Sequence, residues 1–288
     1  MSYLEKIQRC NARDLTDYTP FLVEGIQVGW LTQERAHAVL QHSEVFANTA
    51  LGITMPSSLT TADKRSEALA NIALHLNNSG LFRGGTGELY GVKNDWNAPP
   101  LLLMDRMHAP GFGVRAYGVH LNGFVVKPDG IYLWIGTRAD DRIVEPGKLD
   151  NMVAGGQPAN LSISDNLLKE ADEEAGLPAD LARKARSASM ISYGFETPKG
   201  LRNDTLFCYD LEMPEGVTPR NTDGELSGFD LLPLQEVLDL VRETERFKFN
   251  VNLVIIDFAM RFGAITPENT PDYEKMASGL RERPQSLV

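Results

Sequence analysis

The sequence predicts an α/β protein, on three observations. Its composition is that of an ordinary globular chain: 42% of its 288 residues are hydrophobic and 23% are charged. That excludes disordered, collagenous and fibrous classes and leaves enough apolar material for a core without staples. Strand-like and helical stretches are mixed along the chain, and the breaks between them fall at Gly and Pro positions with a turn or cap chemistry. At about 150 residues per domain the length suggests two domains, or one with a large extension.

The elements follow in order. Phe21–Val28 reads as a short hairpin about Glu24-Gly25. Thr32–His42 reads as a helix. Thr61–Asn78 is a stronger one: Leu69, Ile72, Ala73 and Leu76 recur at three and four residues, Thr61 serves as N-cap and Gly80 stands near the end. Gly84-Gly85-Thr86-Gly87 is a loop, too short for a P-loop and without the following Lys. Glu88–Val92 is a strand and Asn97-Ala98-Pro99-Pro100 a turn. From Gly113 the texture changes. Arg115–Val126 and Ile131–Thr137 are strands joined by the turn Pro128-Asp129-Gly130. A strand-like approach from Asn151 ends in a Gly-rich loop, Ala154-Gly155-Gly156. Ser162 or Ser164 opens a helix that runs to Ala175, where Gly176 suits a left-handed cap and Pro178 cannot continue it. Ser187–Tyr193, Asp204–Leu211 and Leu226–Leu231 read as strands, and Pro233–Thr244 and Asn250–Phe262 as helices. The Pro-rich, polar tail after Ile265 is expected to be loosely attached. The chain thus divides into an N-terminal α/β extension, 1–110, a second domain, 111–265, and a tail, 266–288.

The net charge of −11 disfavours nucleic acid as the main partner, since gripping a phosphate backbone takes a basic face. An acidic protein with an anionic substrate needs a metal or a focused basic pocket. Two cysteines far apart, Cys10 and Cys208, exclude a disulfide framework and a Cys-based zinc site. Met1-Ser2-Tyr3-Leu4-Glu5-Lys6 has an early acid and no apolar core, so it reads as no signal peptide, and no run nears the ~18 apolar residues of a membrane span. The expected location is the cytoplasm, with no membrane partner. A homodimer stays open.

The chemistry concentrates in Lys169-Glu170-Ala171-Asp172-Glu173-Glu174-Ala175-Gly176-Leu177. On a helix, Glu170, Glu173 and Glu174 fall within an arc of roughly 100°, while Leu167, Leu168, Ala171 and Ala175 take another. Like charges at this spacing repel, by ~0.2–0.5 kcal/mol per pair. They also sit in the last turns, where the helix dipole favours cations. Three acids there make sense if a divalent cation is supplied. Mg²⁺ takes oxygen ligands and is typically held together with substrate phosphates; without it, at least one carboxyl pKa should rise. A solvated acidic face is the plainer alternative, but the paired glycines ahead of the helix allow close approach of backbone to phosphate or metal.

This pattern resembles the box of the Nudix hydrolases: Gly, five residues, Glu, seven residues, Arg-Glu-apolar-x-Glu-Glu-x-Gly-apolar. Glu170, Ala171, Glu173, Glu174, Gly176 and Leu177 match it, Lys169 stands for the Arg, and Gly155, or Gly156 with a one-residue deletion, is the box Gly. The first Glu of the box is replaced by Leu161, or by Ser162 under that deletion. Arg115–Phe124, Trp134–Arg138, Pro146–Gly156 and Gly200–Asp204 further resemble a branch found fused to thiamine pyrophosphokinase in some proteins and alone in others.

The resemblance implies a Nudix α/β/α sandwich behind the N-terminal extension and Mg²⁺-dependent hydrolysis of a small-molecule diphosphate, with Mn²⁺ as the alternative ion. The branch implies thiamine diphosphate or its oxidised forms, cleaved to the monophosphate. Metal ligands would be Glu170, Glu173 and Glu174, with the Ala154 carbonyl and the Gly155-Gly156 backbone completing the shell. Glu174 or Glu225 would take the proton, and Lys169 would orient the acids. His120, Asn122, Arg138 and Lys148 are candidate substrate contacts, each with an ordinary structural role as its alternative. Tyr90, Trp96, Phe82 and Trp134 are aromatics more often found in a core than on a ligand. Two other readings stay open: a Nudix enzyme for another nucleoside or dinucleotide diphosphate, and, given the missing Glu, a non-catalytic ligand-binding module.

Overall fold

The computed structural model describes residues 2–141 and 144–285, so the outer ends of the expected 1–110 and 266–288 regions are covered in part. In the N-terminal part, α1 (Tyr3–Arg9) precedes the hairpin β1 (Tyr18–Val23) and β2 (Ile26–Thr32), then α2 (Gln33–Val39), β3 (Ala47–Thr49) and β4 (Gly52–Thr54). The long helix α3 (Ala62–Asn78), the pair β5 (Leu89–Val92) and β6 (Leu102–Asp105), and the single turn α4 (Ala109–Phe112) follow. The hairpin turns where expected, with Glu24 and Gly25 both at positive φ. Thr61 caps α3 by accepting from the Lys64 N–H. Phe21, Phe46, Leu69, Phe82 and Phe112 share one core there.

The second part is built on β7 (Ala116–Lys127), β8 (Gly130–Arg138), β9 (Leu149–Asp150) and β10 (Val153–Gly156). After these come α5 (Ile163–Ala175), α6 (Ala179–Ala182), β11 (Arg186–Thr197), β12 (Gly200–Glu212) and β13 (Leu226–Pro233), then α7 (Leu234–Glu243), α8 (Val251–Arg261) and α9 (Tyr273–Gly279). The sheet runs β11-β12-β7-β8-β13, with β10 on β7 and β9 on β8. β12 and β7 are parallel, Asp204 opposite Ala116 through Glu212 opposite Phe124.

Strand alternation sends residues to two cores. Val119, Leu121, Val125 and Trp134 face α5 and α6. Phe124, Leu133, Ile135 and Leu206 face α7 and α8. The result is a sheet between two helical layers, the mixed α/β architecture expected.

Two expectations need correction. Ala154-Gly155-Gly156 is strand, not loop: in β10 the three pair with His120, Val119 and Gly118, because a segment lacking large side chains lies flat beside β7. The tail, as far as 285, is not loose. Met276 and Leu280 are fully buried in the α8 core, and Arg281 donates to Asp257 at 2.7 Å. Ile7 and Cys10 join the same core, so α1 packs with the C-terminal helices rather than with its sequence neighbours.

Candidate functional site: an acidic helix beside a cationic cleft

Helix α5 starts at Ser162, whose hydroxyl accepts from the Asp165 N–H, and stops at Gly176 in the left-handed region (φ 60°, ψ 30°). Leu167, Ala171 and Ala175 bury one face in the core. The polar face is tied to β10 at two points. Asn166 Nδ2 donates to the Gly156 carbonyl at 2.7 Å, and Glu174 Oε2 accepts from the Ala154 N–H at 2.7 Å. Between these ties the Glu170 carboxyl lies so close to Gly155 that a Cβ there would overlap it. Gly155 is thus required for space, since its φ is not in the left-handed region. Asn166 escaped the sequence reading, although it stands one helical turn before Glu170 on the same face.

Lys169 relieves the repulsion among the acids. Its ammonium meets Glu173 Oε2 at 2.6 Å and Glu170 Oε1 at 3.2 Å. Burial pushes the Glu174 carboxyl up to about 8, with Glu170, Asp150 and Glu225 adding to the rise and the Ala154 N–H opposing it. Glu170 is also raised, first by burial, with Lys169 opposing and Glu173 and Glu225 adding. Glu225, on the loop before β13, is half-buried and within electrostatic reach of both. Among the described residues no three His, Cys, Asp or Glu form a ready-made metal-ligand set. The donor chemistry nevertheless fits a hard dication. The oxygens are carboxylates, and two of them carry a raised pKa that a neighbouring cation would reverse. Lys169 would have to swing aside.

The other side of Gly155 faces a cavity of about 230 Å³. Tyr90, Arg106 and Pro110 from the N-terminal part form one wall. Gly118 and His120 of β7, Gly155 and Gly156 of β10, Arg202 to Asp204 of β12, and Lys248 and Asn250 before α8 form the rest. Its three cations among the described residues are anchored. Arg106 meets Glu88 at 2.5 Å, Arg202 meets Asp204 at 3.2 Å, and Lys248 meets Asp150 at 3.2 Å. Gly156 leaves room for the Tyr90 hydroxyl, which a Cβ would displace. The Oδ1 atoms of Asn203 and Asn250 are buried without a hydrogen-bond partner.

The sequence candidates separate. Ala154, Gly155, Gly156 and His120 line the cleft. Glu170, Glu173, Glu174, Lys169 and Glu225 do not; they lie beyond Gly155 or, for Glu225, across the same cluster. His120 is buried and held neutral, its pKa lowered to about 4 by burial first, with Lys248 adding. Asn122, Arg138 and Lys148 do not line the cleft, which corrects their placement as substrate contacts. Asn122 is spent in a buried amide network. Arg138 is locked onto Asp150 at 2.7 Å and the Val144 carbonyl at 2.9 Å, and Lys148 donates to the Glu245 carbonyl. Arg106, Lys248 and Asn250 were missed, having no local signature. Arg202-Asn203-Asp204 belongs to the Gly200–Asp204 stretch that carries the branch resemblance, and Tyr90, expected in a core, turns its hydroxyl to Gly156.

Comparison with known proteins adds the lineage. A family model described as a domain of unknown function, DUF4743, matches residues 2–116. Among solved structures, the NUDIX domain of Shewanella oneidensis NrtR overlays 52% of this chain and 90% of its own at 14% identity, with a TM-score of 0.41. An uncharacterized protein of Saccharomyces cerevisiae is 32% identical over 70% of the chain and 62% of its own length. Two Arabidopsis thaliana proteins carry the assignment: Nudix hydrolase 24, chloroplastic, is 38% identical over 97% of the chain and 77% of its own length, and Nudix hydrolase 20, chloroplastic, is 37% identical over 98% and 78%. With identity sustained over nearly all of the sequence, the chain is an enzyme and belongs to the Nudix hydrolase family.

Proposed function

We propose that this enzyme hydrolyses a diphosphate linkage in a small organic diphosphate, using Mg²⁺, or Mn²⁺, held by Glu170, Glu173, Glu174 and the Ala154 carbonyl. One observation carries the reading. Gly155 backs onto the Glu170 carboxyl and also walls a cleft with three anchored cations, so acids suited to a dication adjoin cations suited to a diphosphate. When bound, the dication neutralises phosphate charge and lowers the pKa of water. Arg106, Arg202 and Lys248 bind and orient the anionic substrate, an electrostatic focus that the net charge of −11 makes necessary. Until the dication is bound, Lys169 holds Glu170 and Glu173 together. Either Glu174, whose Oε2 accepts from the Ala154 N–H, or half-buried Glu225 takes the proton.

The branch resemblance makes thiamine diphosphate or its oxidised analogues the preferred substrate, with the monophosphate as product. The same reading keeps the cytoplasm as the compartment and nucleic acid outside the partner set, and leaves a homodimer open. No helix of the described residues is long and apolar enough to cross a membrane.

The test is a panel of thiamine, nucleoside and dinucleotide diphosphates with phosphate or monophosphate readout, for wild type and Glu173→Gln with Mg²⁺. The expected result is turnover of a thiamine compound that the substitution abolishes. Turnover of nucleotides alone replaces the substrate. Tight binding without turnover at any divalent metal replaces the reaction with ligand binding.

A further inference from the structure

One buried hydrogen-bond chain begins in the cleft and ends at a surface ion pair. His120 Nδ1 meets Asn151 Oδ1 at 2.8 Å, Asn151 Nδ2 donates to Asn122 Oδ1 at 2.9 Å, and Asn122 Nδ2 donates to Asp210 Oδ1 at 2.9 Å. The Arg261 guanidinium holds Asp210 at the far end. His120, Asn122 and Asn151 are each at most 3% exposed, so no water competes along the chain.

The direction of this chain is forced. An Asp210 carboxylate paired with Arg261 only accepts, so Asn122 must turn its amide nitrogen toward it. That leaves Asn122 Oδ1 to accept from Asn151, and Asn151 Oδ1 to accept in turn from His120. Nδ1 of the neutral imidazole therefore carries the proton. Nε2 is left as an acceptor on a residue that lines the cleft, with no hydrogen bond of its own among the described residues. Flipping either amide would set oxygen against oxygen somewhere along the line.

Two further residues that line the same cleft carry a buried acceptor. Asn203 Oδ1 and Asn250 Oδ1 have no partner, and their residues are 7% and 4% exposed. Buried acceptors left unsatisfied are costly, and a ligand donor would recover that cost. We infer that Asn151, Asn122 and Asp210 are positioning residues that fix His120 as a hydrogen-bond acceptor, and that the cleft reads an amine-bearing heterocycle through His120 Nε2, Asn203 Oδ1 and Asn250 Oδ1. The ligand half rests on the cleft being the substrate site proposed above. The tautomer half does not, so the two can fail separately.

The experiment is long-range ¹H–¹⁵N correlation on the full chain labelled at histidine, with His120 assigned by its loss in His120→Gln. The expected wild-type spectrum at neutral pH shows His120 protonated at Nδ1 and bare at Nε2. An Nε2-protonated or imidazolium His120 overturns the relay, and this outcome needs no variant to fold. Asn122→Leu, which removes the middle link, and Asp210→Leu, which removes the terminal acceptor, should each convert the single tautomer to an exchanging pair. An unchanged tautomer in a folded Asn122→Leu overturns the positioning role. Thiamine diphosphate and ADP, each added to metal-free protein so that neither is hydrolysed, are the amine-bearing probes. At least one should shift the Nε2 resonance upfield on saturation and bind about tenfold more weakly to Asn122→Leu. If neither moves Nε2, the amine reading is wrong, whatever the enzyme hydrolyses.

Discussion

The two sides that meet at Gly155 are opposite in charge and different in construction. On one, a single helix stacks three carboxylates, one of them buried with its pKa pushed up to about 8, and a lone Lys169 to relieve them. On the other, Arg106, Arg202 and Lys248 come from three separate segments, and each already meets a carboxylate, Lys248 sharing Asp150 with Arg138. The acidic side is short of positive charge and therefore suits a cation from outside. The cleft side has cations that a bound anion can share. Only backbone separates them, because any side chain at 155 would strike Glu170. The contrast teaches that a single small residue of β10 is enough to keep an acid-rich surface and a cation-lined one apart.

Substitutions break the comparison in order of size. Glu174→Gln should retain the fold, because the amide oxygen can still accept from Ala154, yet lower kcat by roughly 10²–10³-fold with Mg²⁺. Turnover within a factor of about two would remove Glu174 from the acidic side. Gly155→Ala should push the Glu170 carboxyl out of place and cost about 10²-fold, mainly in kcat. Gly156→Ala displaces Tyr90 instead and should act mainly on KM; equal kcat losses in both would mean the two sides are not separable. Lys248→Met should raise KM by about tenfold, some 1.4 kcal/mol, and leave kcat nearly unchanged.

The smallest effect is on stability. Glu174 has its folded pKa raised from 4.5 to about 8, so the folded state binds the extra proton. Its contribution is fully present below about pH 4.5 and is lost as pH rises through about 8. Metal-free protein should therefore melt several degrees lower at the alkaline end of that window, a slope that Glu174→Gln flattens and Mg²⁺ reduces. Thermal melts in a chelator across this range check it, and a wild-type slope equal to that of the variant would contradict it.

The acidic side was legible because its rules are local. A Ser cap, a Gly stop and carboxylates at three and four residues all sit within α5. Tertiary packing built the cleft, and nothing near Arg106 or Lys248 in the chain announces that β12, α4 and the approach to α8 bring them together. Asn122 and Arg138 misled for a related reason. Polar residues in strands read alike from sequence whether they meet a ligand or, as here, the half-buried Asp210 or the buried Asp150. Leu280 and Met276 were hidden by brevity, since α9 is only 7 residues long and too short to show a periodicity.

The account stands or falls on capture of a dication by α5. Calorimetric titration of Mn²⁺ into the wild type, Glu170→Gln and Glu173→Gln tests it without substrate. A saturable wild-type site, weakened at least about tenfold in both variants, is the predicted result; wild-type protein that binds no metal, or variants that bind as the wild type does, would contradict it.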